Sequence, residues 1–324
     1  MNNRYIVISD LHAHNFRDFD NNGSRLALCM QVIKNTFSLA HTEGIENVLF
    51  CGDLTDQQNT VSIKVTLALM ETFAECFKEH PNVHWWAISG NHDLGQKSTF
   101  AVADNLVSTV RVMSKAFPNF HCMDMQCEQV GEISLAGIPY LDSPEDYNEA
   151  LNKMLQTCDP ESRNVLMIHQ TPLVPNAKFA HDTDPADKRY YKFSKVFCGH
   201  IHQRRDLTIG FAVVGNPIQI DADDGGWEVD NGVLIWDCYT NETTFIPYNF
   251  PKFVKVGEGE EFDKKYTNHY VTTVPKQALK PTASLNFHAS DGRASLLEKY
   301  FEAEGNGQPD TLSVGLKLLA LIDT

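Results

Sequence analysis

Apolar residues along this chain recur alternately at strand spacing and at helix spacing. Tyr5 to Ser9 is a short, β-branched apolar run ended by Asp10, the pattern of a buried strand. Leu26, Cys29, Ile33, Phe37 and Ala40 then fall on one helical face, with Ser24 placed to cap the helix and Gly44 to stop it. Asn47 to Cys51 is a second strand, closed by Gly52. A helix from about Ser62 to Lys78 follows, with Ile63, Met70, Phe73 and Phe77 on one side. Val83 to Ser89 is a third strand, closed by Gly90. Strand, helix, strand, helix, strand is the order of parallel crossover units.

Downstream the pattern shortens. A helical stretch over Asp104–Ala116 leads to short strands at Asn119–Met123, Cys127–Val130 and Ile133–Ala136, then to a helix over Pro144–Thr157. Strands are expected at Val165–Ile168, Val196–Cys198, Arg205–Ile209, Ala212–Val214, Val233–Trp236 and Thr243–Pro247. The fold class is α/β: two mixed β-sheets packed face to face with flanking helices, a four-layer arrangement over residues 1–250. From about Phe250 the chain is more charged, and Gly257–Glu261 is a candidate hinge. Residues 251–324 are expected to form a small C-terminal α+β extension ending in helical patterns at Ala294–Glu304 and Thr311–Ile322. The last of these puts Leu312, Leu316, Leu319 and Ile322 on one stripe.

Composition narrows the function classes. The chain has 324 residues, 42% of them hydrophobic, enough for one large core with a small appendage. Its formal charge of −15 argues against a broad basic surface for nucleic acid, although bound dications and a basic partner can offset acidity locally. No run is long and apolar enough for a membrane span, and the first residues lack the apolar region of a signal peptide. The eight cysteines include no C-x-x-C pair and are expected to be reduced, small core residues, which implies a cytoplasmic setting.

Candidate chemistry sits in five short segments: Asp10-Leu-His12, Gly52-Asp53-Leu-Thr-Asp56, Gly90-Asn91-His92-Asp93, His169, and Gly199-His200-Ile-His202. Four directly follow a predicted strand and His169 ends one, so all five could converge where α/β sheets place ligands, at the carboxyl ends of strands. Carboxylate, imidazole and amide oxygen form the mixed set that suits manganese, iron or zinc; the absence of cysteine argues against a structural zinc site. Asp53, after Gly52 in a tight turn, could offer one oxygen to each of two cations about 3.5–4 Å apart. Asp10 with His12, and His200 with His202, project to one side if their backbone stays extended.

The ordered set resembles the calcineurin-like metallophosphoesterase superfamily, with its D-x-H, G-D-x-x-D, G-N-H-D, lone H and G-H-x-H segments. More narrowly the chain is similar to the SbcD-type DNA-repair nuclease family, notably its phage members, through Ser9–Asn15, Gly215–Ile220 and Gly232–Asp237. The protein-phosphatase branch fits less well, because Asp56 is followed by Gln57-Gln58 rather than an arginine and the third motif ends in Asp93, not Glu. The resemblance implies that Asp10, His12 and His202 bind one metal, that Asn91, His169 and His200 bind the other, and that Asp53 bridges. The two divalent ions, manganese by resemblance, would clamp the scissile phosphate and acidify a water. His92 is then the catalytic residue that stabilises the transition state or protonates the leaving 3′-oxygen, with Asp93 orienting it and Asp56 a weaker candidate of the same kind.

The implied activity is hydrolysis of DNA phosphodiesters, as a 3′-5′ exonuclease and single-strand endonuclease in DNA repair or recombination. The implied partners are DNA, an SbcC-like coiled-coil ATPase and a second copy of the chain. ATP dependence must come from that ATPase, since the chain has no G-x-x-x-x-G-K-[ST] loop. In this reading residues 251–324 are a reduced capping and partner-binding region.

Several residues stay open. His14 and Asn15 could touch a phosphate or sugar, or form an exposed turn. Arg204 and Arg205 follow the last motif and are candidate DNA contacts, as is the Lys188–Lys195 segment. The Asp221–Asp224 cluster reads as an exposed loop rather than a cation site. His121, His181, His269 and His288 lack motif context. A small phosphodiester or nucleotide remains the rival substrate, favoured by the net acidity. A non-catalytic scaffold is disfavoured because the whole ligand set is intact.

Overall fold

The structure is a computed structural model that describes residues 3–15, 24–56, 60–159, 161–174, 182–220, 230–257 and 270–274. The candidate site residues all lie within them. The Asp221–Asp224 cluster, His181, His269, His288, residues 258–261 of the candidate hinge and both closing helical patterns lie outside.

Two six-stranded sheets carry the fold. The first is built from β1 (Arg4–Ile8), β2 (Asn47–Phe50), β3 (His84–Ala87), β4 (Phe120–Cys122), β11 (Gly232–Asp237) and β12 (Thr243–Pro247), in the order β12-β11-β1-β2-β3-β4. Strands β1 to β4 run parallel, and β11 joins β1 antiparallel with Tyr5 opposite Trp236. The second holds β5 (Cys127–Val130), β6 (Ile133–Ile138), β7 (Asn164–His169), β8 (Lys195–Gly199), β9 (Arg205–Thr208) and β10 (Phe211–Val213), in the order β5-β6-β7-β8-β10-β9. Its four central strands are parallel, and β5 and β9 close the edges antiparallel.

Side-chain alternation explains the layers. Tyr5, Val7, Leu49 and Cys51 point toward the second sheet and meet Leu135, Val165, Met167 and Phe197 from it. Their neighbours Ile6, Ile8, Val48 and Phe50 point the other way, under α1 (Ser24–Glu43) and α2 (Ile63–Glu79). On the far side Leu166, Ile168, Val196 and Cys198 pack on α4 (Pro144–Thr157), whose Ser143 cap accepts from Asp146 N. Central strands buried on both faces read as continuous apolar runs, which is why they were legible. The two mixed sheets with flanking helices are therefore as expected.

Two expected helices need correction. Ile63 is 86% exposed, and the buried stripe of α2 is Val65, Leu69, Thr72, Phe73 and Cys76. At about 100° per residue Ile63 lies roughly 200° from Val65, on the solvent side of the first turn. The stretch Asp104–Ala116 is not one helix: a 3-10 segment, Phe100–Asn105, ends before buried Leu106, and α3 (Thr109–Ala116) restarts where the Ser108 side chain accepts from Arg111 N. Strands β13 (Phe253–Gly257) and β14 (Tyr270–Val274), which pair with each other, and the 3-10 turn Lys188–Lys192 carry no signal that the sequence pattern revealed. Gly257 ends β13.

By compactness the chain divides into one unit of Met1–Val254 with Lys264–Val271, and a second of Lys255–Asp263 with Thr272–Thr324. Phe253 belongs to the first: its amide donates to Gln219 Oε1, and the Arg25 guanidinium lies over its ring. All eight cysteines are free thiols, six of them buried. Among the described residues, no helix is long and apolar enough to cross a membrane.

Candidate metal centre

Parallel strands deliver the site. Asp10, Asp53 and Asn91 follow the carboxyl ends of β1, β2 and β3, while His169 ends β7 and His200 follows β8. The chain reverses immediately at these points. Asp10, His12, Asp53 and His200 all take left-handed backbone, with φ of 53°, 47°, 58° and 78°, four of the six non-glycine residues that do so among the described residues. Such conformations cost about 1–3 kcal/mol each and persist where surroundings over-determine them. Here Asp10 N donates to Gly52 O, His12 N to Asp53 O and Ala13 N to Leu54 O, lacing the first motif to the second. The extended backbone expected for Asp10-x-His12 and His200-x-His202 is thus corrected. The turns, not strand alternation, aim these side chains.

Gly52 is required at its position. Its φ is 96°, and a Cβ there would meet His169 Nδ1 at 2.4 Å. That space lets His169 Nδ1 reach the Cys51 carbonyl beside the turn.

The structure brings all seven candidate ligands together in two groups. Asp10, His12 and His202 offer donor atoms to one point, and Asp53, His169 and His200 to another. Asn91 joins the second group, its Oδ1 lying 3.2 Å from His169 Nε2 and 2.9 Å from His200 Nδ1. Asp53 stands between, with Oδ2 3.3 Å from His12 Nε2 and 3.1 Å from His169 Nε2. Its other oxygen, Oδ1, accepts from His92 N at 2.8 Å. Oδ2 is thus the oxygen of this carboxylate that lies nearest both groups.

Outer hydrogen bonds fix which ligand atoms face inward. His12 Nδ1 donates to Asp56 Oδ1 at 2.8 Å and His169 Nδ1 to the Cys51 carbonyl at 2.7 Å, so each presents Nε2. Asp10 Oδ1 accepts from His200 N at 3.0 Å, while its Oδ2 is fully buried without a hydrogen-bond partner. A buried carboxylate oxygen left orphaned costs stability unless a cation completes it, and the donor set is the N/O mixture that divalent ions take. The residues therefore fit a two-metal centre.

The electrostatics of the metal-free site agree. Burial works to raise the Asp53 pKa, but the imidazoles of His169 and His12 outweigh it and hold it well below the usual range. Burial works to lower His169, but Asp53 and Asp10 push it up to about 9. His12 is likewise raised by Asp53, Asp56 and Asp10 against burial. His200 goes down to about 4, through burial and the neighbouring His169. The cluster holds protons where it would hold cations.

His92 stands beside the first group, its ring centroid 4.7 Å from that of His12. Its Nδ1 donates to the backbone carbonyl of Asp56 at 2.7 Å, leaving Nε2 free, and its side chain is 33% exposed. Asp93 does not touch that ring, which corrects the orienting role expected of it. Its carboxylate accepts instead from Thr55 N, Thr55 Oγ1, Thr109 Oγ1 and Gly90 N. It ties the second and third motifs together, and the residue that holds His92 is Asp56. Thr109 was missed because it lies on α3, far from any motif.

The remaining candidates lie at the margins. His14 is only 5% exposed, so it is not part of an exposed turn, and Asn15 Nδ2 donates to Ser62 Oγ before α2. Arg204 and Arg205 are exposed; Arg204 lies over the Phe245 ring and Arg205 donates to Gln203 Oε1. His121 stacks on Trp86 and hydrogen-bonds His84 away from the ligands. The Gly215–Ile220 segment buttresses the last motif, with Asn216 N donating to His202 O and buried Gln219 accepting from Arg25 and Phe253.

No curated protein matches the chain. Among solved structures it is similar to a dimetal phosphatase from Danio rerio, at 10% identity over 72% of this chain and 91% of that one, with a TM-score of 0.44. A family model, that of the calcineurin-like phosphoesterases, matches residues 4–204, which include every candidate ligand from Asp10 to His202. The chain belongs to the calcineurin-like phosphoesterase family.

Proposed function

We propose that the protein is a two-metal, manganese-dependent phosphodiesterase acting on DNA, as a 3′-5′ exonuclease and single-strand endonuclease in repair or recombination. Two dications, held by Asp10, His12 and His202 on one side, by Asn91, His169 and His200 on the other and shared by Asp53, would supply charge to the phosphate and an acidified water near neutral pH. His92 is the residue left to handle the leaving group. With Nδ1 committed to the Asp56 carbonyl, its Nε2 is left to give a proton to a departing 3′-oxygen.

The observation that carries the nuclease reading is the Gly215–Ile220 segment. It is one of the stretches similar to the SbcD-type family, and it supports the His202 turn directly through Asn216. Arg204 and Arg205, exposed just beyond His202, would meet backbone phosphates. An SbcC-like coiled-coil ATPase is the partner proposed to supply ATP dependence, and the net charge of −15 favours such help. Residues 251–324 would serve as a reduced cap and partner-binding region, and a homodimer is the proposed assembly. The same acidity favours the rival reading, a small phosphodiester or nucleotide as substrate.

The test uses the purified full chain with manganese, with and without EDTA, and His92→Ala alongside. Substrates are end-labelled duplex DNA, circular single-stranded DNA and a small chromogenic diester. Manganese-dependent DNA cleavage that His92→Ala loses is expected. Turnover of the small diester alone, with or without an added ATPase partner, would overturn the DNA assignment.

A further inference from the structure

Tyr140 is the aromatic neighbour of the second ligand group, and no motif accounts for it. Strands β6, β7 and β8 lie side by side and parallel, with Ile138 opposite Ile168 and His169 opposite Gly199. Their carboxyl ends therefore present Tyr140, His169 and His200 in a row. The Tyr140 ring centroid is 5.9 Å from that of His200, tilted by 34°, and 6.4 Å from that of His169.

The backbone at Tyr140 is clamped on both sides. Its amide donates to Ser89 O at 2.9 Å, one residue before Gly90, and its carbonyl accepts from Ser98 Oγ at 2.5 Å. Ser98 is fully buried and exchanges hydrogen bonds with Asp142, while Gln170 Nε2 donates to Leu141 O. The loop after β6 is thereby tied to the third motif and to the residue that follows His169. Such support holds the Tyr140 backbone in place, as a precisely positioned site residue requires. The ring is half-buried, and its hydroxyl makes no hydrogen bond among the described residues. A phenol is protonated near neutral pH and so is a hydrogen-bond donor. A rigidly held donor without a protein acceptor, beside the imidazoles of His169 and His200, is suited to an acceptor that arrives with the metals.

We infer that Tyr140 is a substrate-binding residue whose phenol donates a hydrogen bond to a non-bridging oxygen of the phosphate held at the Asn91, His169 and His200 side of the site. The inference rests on the phosphoesterase reading but not on DNA as substrate. A donor of this kind to a charged oxygen is worth about 10- to 100-fold in binding.

The experiment compares wild type, Tyr140→Phe and Tyr140→Ala as manganese-loaded full chains. Binding of inorganic phosphate is followed by calorimetry, bound metal by elemental analysis, and turnover of bis(p-nitrophenyl) phosphate and end-labelled DNA by rate. Tyr140→Phe keeps the ring against His200, so metal content stays at the wild-type value. Phosphate affinity and kcat/KM on each substrate that wild type turns over fall about 10- to 100-fold. Wild-type phosphate affinity in Tyr140→Phe, with loss of metal only in Tyr140→Ala, would overturn the inference and make the residue a packing partner of His200. A wild-type chain that binds phosphate through Tyr140 but leaves DNA intact would sink the nuclease reading alone. DNA cleavage unaffected by Tyr140→Phe would sink only the role of the phenol.

Discussion

Asp56 holds His12 through its side chain and His92 through its backbone: Oδ1 accepts from His12 Nδ1 at 2.8 Å, and the carbonyl oxygen accepts from His92 Nδ1 at 2.7 Å. The side chain thus serves a candidate ligand, and the main chain serves the candidate acid. Replacing the carboxylate separates the two roles. Asp56→Ala should lower metal affinity about 10- to 100-fold, the usual cost of losing a partner that orients a metal-binding imidazole. At saturating manganese the kcat should recover, because the carbonyl that holds His92 is still there. Metal titration followed by rate measurement at each loading checks this; a kcat that stays low at full loading would show that the Asp56 side chain acts on His92 after all.

Protonation should compete with metal. His169, pushed up to about 9, and His12, also raised, carry protons near neutral pH in the metal-free protein, whereas ligation needs neutral imidazoles. Manganese binding should therefore release protons, seen as a binding enthalpy that changes with the ionisation enthalpy of the buffer. Affinity should rise with pH up to about 9. Equal apparent enthalpies in phosphate-free buffers of different ionisation enthalpy would refute the assignment.

Stability of the metal-free protein should follow the same groups. His169 is raised in the folded state, so its contribution is complete below its ordinary value of 6.5 and is lost as pH climbs toward about 9. His200 is depressed to about 4, so protonation penalises the fold as pH falls below 6.5. Thermal unfolding in EDTA should be most resistant near the ordinary histidine pKa and weaken on both sides. Added manganese should flatten the alkaline limb by displacing the His169 proton.

Much of this fold was legible because its central strands are buried on both faces and end in polar turns. Tyr5 to Ser9 and Asn47 to Cys51 are short apolar runs, with Asp10 directly after the first and Asp53 one glycine beyond the second, so strand and site could be read from the same residues. What was not legible depended on partners distant in sequence. Nothing about Ile63 tells that α2 turns Val65 and Leu69 inward instead. The left-handed turns at Asp10 and His12 exist because Gly52, Asp53 and Leu54 offer carbonyls to them, a contact that spacing within one motif cannot reveal. Tyr140 follows a strand like the ligands do, yet tyrosine after a strand carries no metal signature.

Asp93 should prove structural. Its buried carboxylate collects donors from Thr55, Thr109 and Gly90, and burial with the nearby Asp53 raises its pKa against those bonds. Asp93→Ala leaves these donors unpaired, at a cost of about 3 kcal/mol. Urea unfolding in EDTA should show that loss without any metal present. A variant with wild-type stability but no activity would instead return Asp93 to the chemistry.

Arg204 and Arg205 give the nuclease reading its electrostatic test. Both are exposed beyond His202; Arg205 bonds Gln203 two residues before it, whereas Arg204 is braced against a distant strand, its guanidinium 4.5 Å from the Phe245 ring centroid. That stacking is worth about 0.5–1 kcal/mol at an exposed site and pre-orients the cation. If each arginine neutralises one phosphate, each alanine substitution should reduce the slope of log affinity against log salt by about 0.7 on single-stranded DNA. Arg204→Ala should cost more affinity than Arg205→Ala at low salt, since it also removes a pre-oriented group. Neither should change turnover of a small diester, which does not extend past the metals. Salt titrations of binding to single-stranded DNA, with manganese replaced by calcium to prevent cleavage, measure both slopes. Slopes unchanged in both variants would move the DNA path away from the last motif.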